Sequence, residues 1–173
     1  CGSIRMKSHV ELHLAAGAKI LAAPAKMKAY DEAESWEGPA YQDGGHTYFK
    51  NSLIYAIGQE HVSVTGRGMI DGQGLTKKDT EKGGVVNGGN IGTGDKAIAF
   101  KLCRNILIRD VTIYRGGHFA IILTGCELGT VDNVTIDTNR DGFDIDCCKY
   151  LSVSNCKINT PRDDALVLKS SYA

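Results

Sequence analysis

The chain has 173 residues, with 20 basic and 20 acidic side chains and a formal net charge of zero. That length suits one domain with a sizeable core, and the balanced charge leaves no footprint of nucleic-acid or polybasic membrane binding. No run of about 18 apolar residues is present, so no transmembrane helix is expected.

Residues 4–21 (IRMKSHVELHLAAGAKIL) alternate apolar and polar as half-buried strands do, with Val10, Leu12 and Leu14 pointing one way. No signal peptide is visible and the opening already reads as strand, so any targeting segment would have to lie upstream of it. Residues 24–50 break the pattern: they are polar, aromatic and turn-rich. They are predicted to form a loop inserted between coils, with a short helix around 26–34, and such loops on rigid scaffolds often carry function. Strand pattern returns at 53–57 and 62–65 and is followed by GRGMIDGQG at 66–74. A second insertion is expected over 75–95. Its glycine run GGNIGTGDK (88–96) does not fit G-x-x-x-x-G-K-[ST] and is set aside as a phosphate loop.

From residue 97 onward the chain repeats. CRNILIRDVTIYRGGHFAIILTG begins at Cys103, CELGTVDNVTIDTNRDGFDIDC at Cys126 and CKYLSVSNCKINTPRDDALVLK at Cys148, offsets of 23 and 22 residues. The columns read Ile108, Val131, Val153; Val111, Val134, Cys156; Ile113, Ile136, Ile158; and Ile122, Ile145, Val167. A repeat of this length built from short strands predicts a solenoid whose coils stack on one another. The 21 glycines and three prolines suit many tight turns. Cys103, Cys126 and Cys148 open successive repeats and are expected to form a ladder of small buried side chains. The cysteine spacing matches neither a zinc site nor a disulfide framework. Asp110, Asn133 and Asn155 form a polar column, expected inside a coil corner where it would satisfy backbone groups. The chain begins mid-pattern and stops just after a strand, so both ends look cut.

The repeat also sets a chemical problem. Neighbouring strands lie ~4.8 Å apart, which is expected to stack Asp141 on Asp163, with Asp164 alongside. Turn aspartates are common for conformational reasons alone, but carboxylates this close cannot both ionise easily. One pKa rises, and that group becomes an acid near neutral pH. Such a pair is what cleavage of a glycosidic bond requires. His118, read as one coil before Asp141 in the same column, is a candidate substrate contact. Arg140 and Arg162, read as a neighbouring column, and Lys169 are candidates for holding an anionic sugar. Asp144 and Asp146, in GFDID, are expected to face solvent.

At these residues the sequence resembles glycoside hydrolase family 28, the polygalacturonases and rhamnogalacturonan hydrolases. SIRMKSHVELHLAAGAKIL is similar to the family's early I-x-L-K-S-N-V-T-L coil, and GRGMIDGQG to its G-x-G-x-I-D-G-x-G turn. NRDGFDID is similar to the N-T-D-G element, and RDDALVLKS to the paired-aspartate element with its trailing Lys-Ser. The resemblance implies a right-handed parallel β-helix over residues 1–173, a single partial domain. It implies hydrolysis of the pectin backbone with inversion, with no cofactor and no metal, and a secreted or periplasmic location. By match, Asp163 is the general acid, while Asp141 and Asp164 position and activate water. Inversion implies carboxyl groups roughly 6.5–9.5 Å apart. Arg140 replaces the usual threonine, and Pro161-Arg162 precede the aspartate pair where glycine or glutamine is common. These departures point toward exo-acting or rhamnogalacturonan-type relatives. The family's later Gly-His-Gly and Arg-x-Lys elements do not follow within the chain, so weak activity is expected of it. Two other readings stand beside this one. The first is a lyase-like β-helix binding Ca²⁺ through Asp141, Asp144, Asp163 and Asp164. The second is a non-catalytic solenoid that holds pectic polysaccharide along one face.

Overall fold

Short β-branched runs broken every few residues by a turn cannot bury both faces in a flat sheet; stacked as coils, they enclose one core. The computed structural model describes residues 1–35, 37, 44–73, 75 and 94–171. The first coil is β1 (Ile4–Arg5), β2 (Val10–His13) and β3 (Lys19–Leu21), and the second β4 (Ile54–Ile57), β5 (Glu60–Thr65) and β6 (Met69–Asp71). The third is β7 (Lys96–Lys101), β8 (Arg104–Arg109) and β9 (Thr112–Tyr114), and the fourth β10 (Phe119–Thr124), β11 (Glu127–Asp132) and β12 (Thr135–Asp137). The fifth is β13 (Asp141–Asp146), β14 (Lys149–Ser154) and β15 (Lys157–Asn159), after which β16 (Leu166–Lys169) opens a sixth.

All neighbours pair in parallel, giving a six-stranded sheet β1-β4-β7-β10-β13-β16 and two five-stranded sheets, β14-β11-β8-β5-β2 and β15-β12-β9-β6-β3. The architecture is a right-handed parallel β-helix, as the repeat and the resemblance lead one to expect. The core runs down its axis in columns such as Ile70, Ile113, Ile136 and Ile158. Cys103 and Cys126 are buried in it, and all six cysteines are free thiols.

Three sequence expectations need correction. The column Ile122, Ile145, Val167 is out of register by one. Ile122 pairs with Asp144 and then Val167, while Leu123 pairs with Ile145 and then Leu168. The cause lies in the turns entering the six-stranded sheet: 115–118 joins β9 to β10, the shorter 138–140 joins β12 to β13, and the longer 160–165 joins β15 to β16. Counting from the opening cysteine therefore slips a place on reaching this sheet.

For the same reason Phe119, not His118, pairs with Asp141. Continuing the Phe143–Leu166 register backwards sets Asp164, not Asp163, beside Asp141, and Asp163, not Arg162, beside Arg140. The Asp110, Asn133, Asn155 column is at the coil surface, and each residue has a positive φ (68°, 52° and 55°). These types tolerate the left-handed region, so the corner itself explains them. Asn133 Nδ2 does donate to Asp110 Oδ1 at 2.9 Å.

The first insertion keeps only part of its expected helix. A 3₁₀ turn, Ala25–Met27, starts after Pro24 and stops at Lys28, whose φ of 48° cannot continue it. A four-residue helical turn, α1 (Gly44–Thr47), comes later and was not foreseen. Residues 45–49 are buried. Most of the second insertion expected at 75–95, with its glycine run, falls outside the described residues.

Candidate active site

The slipped register matters because it builds the site. Asp141 opens β13, and Asp163 and Asp164 end the turn into β16. There the Asp163 side chain accepts the Asp164 amide at 3.1 Å. One oxygen from each of the three carboxyls lies within 4.8 Å of the others. A cavity of about 210 Å³ holds them, lined by His46, His118, Phe119, Arg140, Asp141, Asp163, Asp164, Val167 and Lys169.

Of the residues singled out by sequence, Asp141, Asp163, Asp164, His118, Arg140 and Lys169 thus share one cavity. Arg162 is exposed in the turn and does not line it. A larger cleft of about 370 Å³ lies beside β9 and β12, lined in part by Tyr114, Arg115 and Asn139. Its arginine is committed to Asp71, at 2.6 and 2.8 Å, and it lacks the three converging carboxyls. Of the two, the smaller cavity is the one that brings three carboxyls together.

Charge is arranged unevenly within it. Arg140 Nε stands 3.2 Å from Asp163, and its terminal nitrogen 3.6 Å from Asp141. That terminal nitrogen is also 3.4 Å from His118 Nε2. His118 is buried and stacks on Phe119 at 4.2 Å. Burial, then the charge of Asp163, pushes the Asp141 carboxyl up to about 6, against a smaller opposing pull from Arg140. Asp163 is the more accessible of the two, with its side chain 29% exposed against 9% for Asp141. The resemblance assigns the acid to Asp163, but the surroundings favour the proton on Asp141.

The 4.8 Å is the approach of the nearest oxygens, whereas the roughly 6.5–9.5 Å that inversion uses separates whole carboxyl groups, so the two are different distances. Three converging carboxylates are the kind of oxygen cluster that hard cations bind. Here the Arg140 guanidinium already supplies positive charge between two of them.

Asp144 and Asp146 do not face solvent: both are fully buried. Both point outward from the coil: the first insertion packs over Asp144 through His46, while Asp146 Oδ1 accepts the Ser171 amide at 2.8 Å. His46 Nε2 is 3.0 Å from Asp144 Oδ2, Lys169 Nζ is 3.1 Å from the same oxygen, and the two nitrogens are 2.6 Å apart. Asp144 therefore turns toward His46 and Lys169 rather than joining the acid cluster, which removes one donor from the Ca²⁺ reading. Sequence reasoning passed over His46, which meets its partner across 98 residues. The one available signal was a histidine inside an insertion long enough to fold back over the sheet.

Comparison with known proteins agrees with this picture. The sequence model of the glycosyl hydrolases family 28 matches residues 26–172. A polygalacturonase of Medicago sativa is 25% identical over 150 residues, which cover 82% of this chain and 34% of the relative. The chain therefore spans about a third of that protein. Among solved structures, a hyperthermoactive exopolygalacturonase from Thermotoga maritima superposes with a TM-score of 0.76 at 26% identity, covering 98% of this chain and 44% of that one. A polygalacturonase from Erwinia carotovora ssp. carotovora gives a TM-score of 0.72 at 21% identity, covering 96% and 46%, a likeness of fold.

Proposed function

This chain belongs to the glycosyl hydrolases of family 28, and from that premise we propose that it hydrolyses glycosidic bonds of the pectin backbone, polygalacturonate or rhamnogalacturonan. The supporting observation is the convergence of Asp141, Asp163 and Asp164 in one cavity, with one carboxyl held up to about 6. In this reading the Asp141–Asp163 pair shares a proton, and the more accessible Asp163 passes it to the leaving oxygen as the bond from the anomeric carbon breaks. Asp164 accepts a proton from the water that attacks the opposite face, so the anomer inverts. Asp164 then releases its proton to solvent and the pair takes one up, which restores both. His118, Arg140 and Lys169 border the sugar, and Arg162 serves at most from outside the cavity. The setting in which such a substrate is met is secreted or periplasmic.

Proton NMR of the fresh product is expected to show the anomer opposite to the substrate linkage; a retained anomer overturns the assignment. The lyase alternative is separated by a chelator. Hydrolysis persists in it and yields no unsaturated product, whereas loss of activity with an absorbing product points to Ca²⁺-assisted elimination. A non-catalytic binder would be retained on pectin without releasing reducing sugar, and its binding would be indifferent to Asp163→Asn.

A further inference from the structure

The first insertion borders the acid cavity through His46. Phe49, fully buried, packs with Tyr55, Ala99, Phe119 and Ile122. Tyr55, Ala99 and Ile122 are paired in register across β4, β7 and β10, so the first insertion covers the outer face of those strands. Its backbone is pinned at that end by Glu34, whose carboxylate accepts the amides of Phe49 at 2.9 Å and Lys50 at 3.0 Å.

One side chain reaches further. His46, only 2% exposed, crosses Phe119 edge-on at 4.9 Å and meets Asp144 on β13 and Lys169 on β16. An apolar residue would bury this spot without desolvating a carboxylate. Here Asp144 Oδ2 holds both His46 and Lys169, so the buried contact fixes their position.

We propose that His46 is the specificity-determining residue of the site. Bolted by Asp144 and Lys169, it forms a wall across the outer face of the sheet, so the acid cavity takes the end of a uronate-containing chain rather than an internal stretch. The inference rests on the hydrolase reading for its substrate class, but not on turnover. Glu34 and the buried Phe49 make their own contacts independently of His46, so His46→Ala opens the wall while these remain. His46→Gln keeps a nitrogen near the lost Nε2 and is the rescue variant.

The test is binding stoichiometry, by calorimetry on ice, to polygalacturonates of defined and increasing length. The wild-type protein and His46→Gln are expected to bind a fixed number per chain, whatever its length. His46→Ala is expected to bind in numbers that grow with length. Wild-type stoichiometry that already grows with length, fixed stoichiometry in His46→Ala, or no binding at all overturns the proposal. A protein that counts chain ends yet never releases reducing sugar keeps the wall and loses the hydrolase reading. One that releases sugar while binding along the chain loses the wall alone.

Discussion

Asp141 is the residue whose surroundings are most out of the ordinary. Its folded pKa of about 6 stands above the usual 3.8, so the fold favours the protonated carboxyl. The associated stability is whole below pH 3.8 and is lost as pH rises through about 6. Asp141→Asn removes the ionisation and is expected to stabilise the protein at pH 7 by roughly 1–2 kcal/mol, with little change at pH 4. Thermal melts at the two pH values check this; equal shifts at both would refute it. For activity the sign is the same: the pair loses its proton above about pH 6 and the base gains one at low pH, giving a bell. Asp163→Asn is expected to lower kcat by several orders of magnitude with KM little changed, because the proton is needed only in the transition state. Near-native turnover by that variant would remove Asp163 from the mechanism.

Within the strands, stability resides in the columns. Ile136 is buried between Ile113 and Ile158 in a sheet three residues deep per coil. Neighbouring side chains above and below cannot close a gap without shifting their own register. Ile136→Ala is therefore expected to cost about 2–5 kcal/mol, read from denaturant midpoints. Substituting the exposed neighbour Thr135→Ala should move the midpoint far less. The turns act differently: a single residue more or less between β12 and β13 or between β15 and β16 changes which side chains meet on the six-stranded sheet, and it is there that the acids stand.

For the molecule as a whole, each coil depends on its neighbours for burial. At the β16 end the inward columns finish on Leu166 and Leu168, 48% and 75% exposed, beside Tyr150 at 79%. With Ile145, Leu151 and Val153 they line an open apolar cleft. An uncovered strand with apolar neighbours is a template for pairing. For these 173 residues expressed alone, concentration-dependent self-association is expected in sedimentation velocity, reduced by Leu168→Glu. A protein that stays monomeric at high concentration would contradict it.

The period near 22 residues determined the solenoid by itself, because burying alternate side chains of short strands leaves no choice but to stack them. The nature of the chemistry was legible too, since doubled aspartates at turn positions, together with the family motifs, point to acid–base work on sugars. The register within the site was not. One residue lost from a turn and one gained in the next cannot be placed by counting, so the pairing of Phe119 with Asp141 emerges only when the backbone is hydrogen-bonded. Nor was the burial of Asp144 and Asp146 visible, because alternation says which face a side chain takes and not what covers that face. The segment over Asp144 comes from nearly a hundred residues earlier, and only the folded chain brings His46 onto it, as it brings the Ser171 amide onto Asp146.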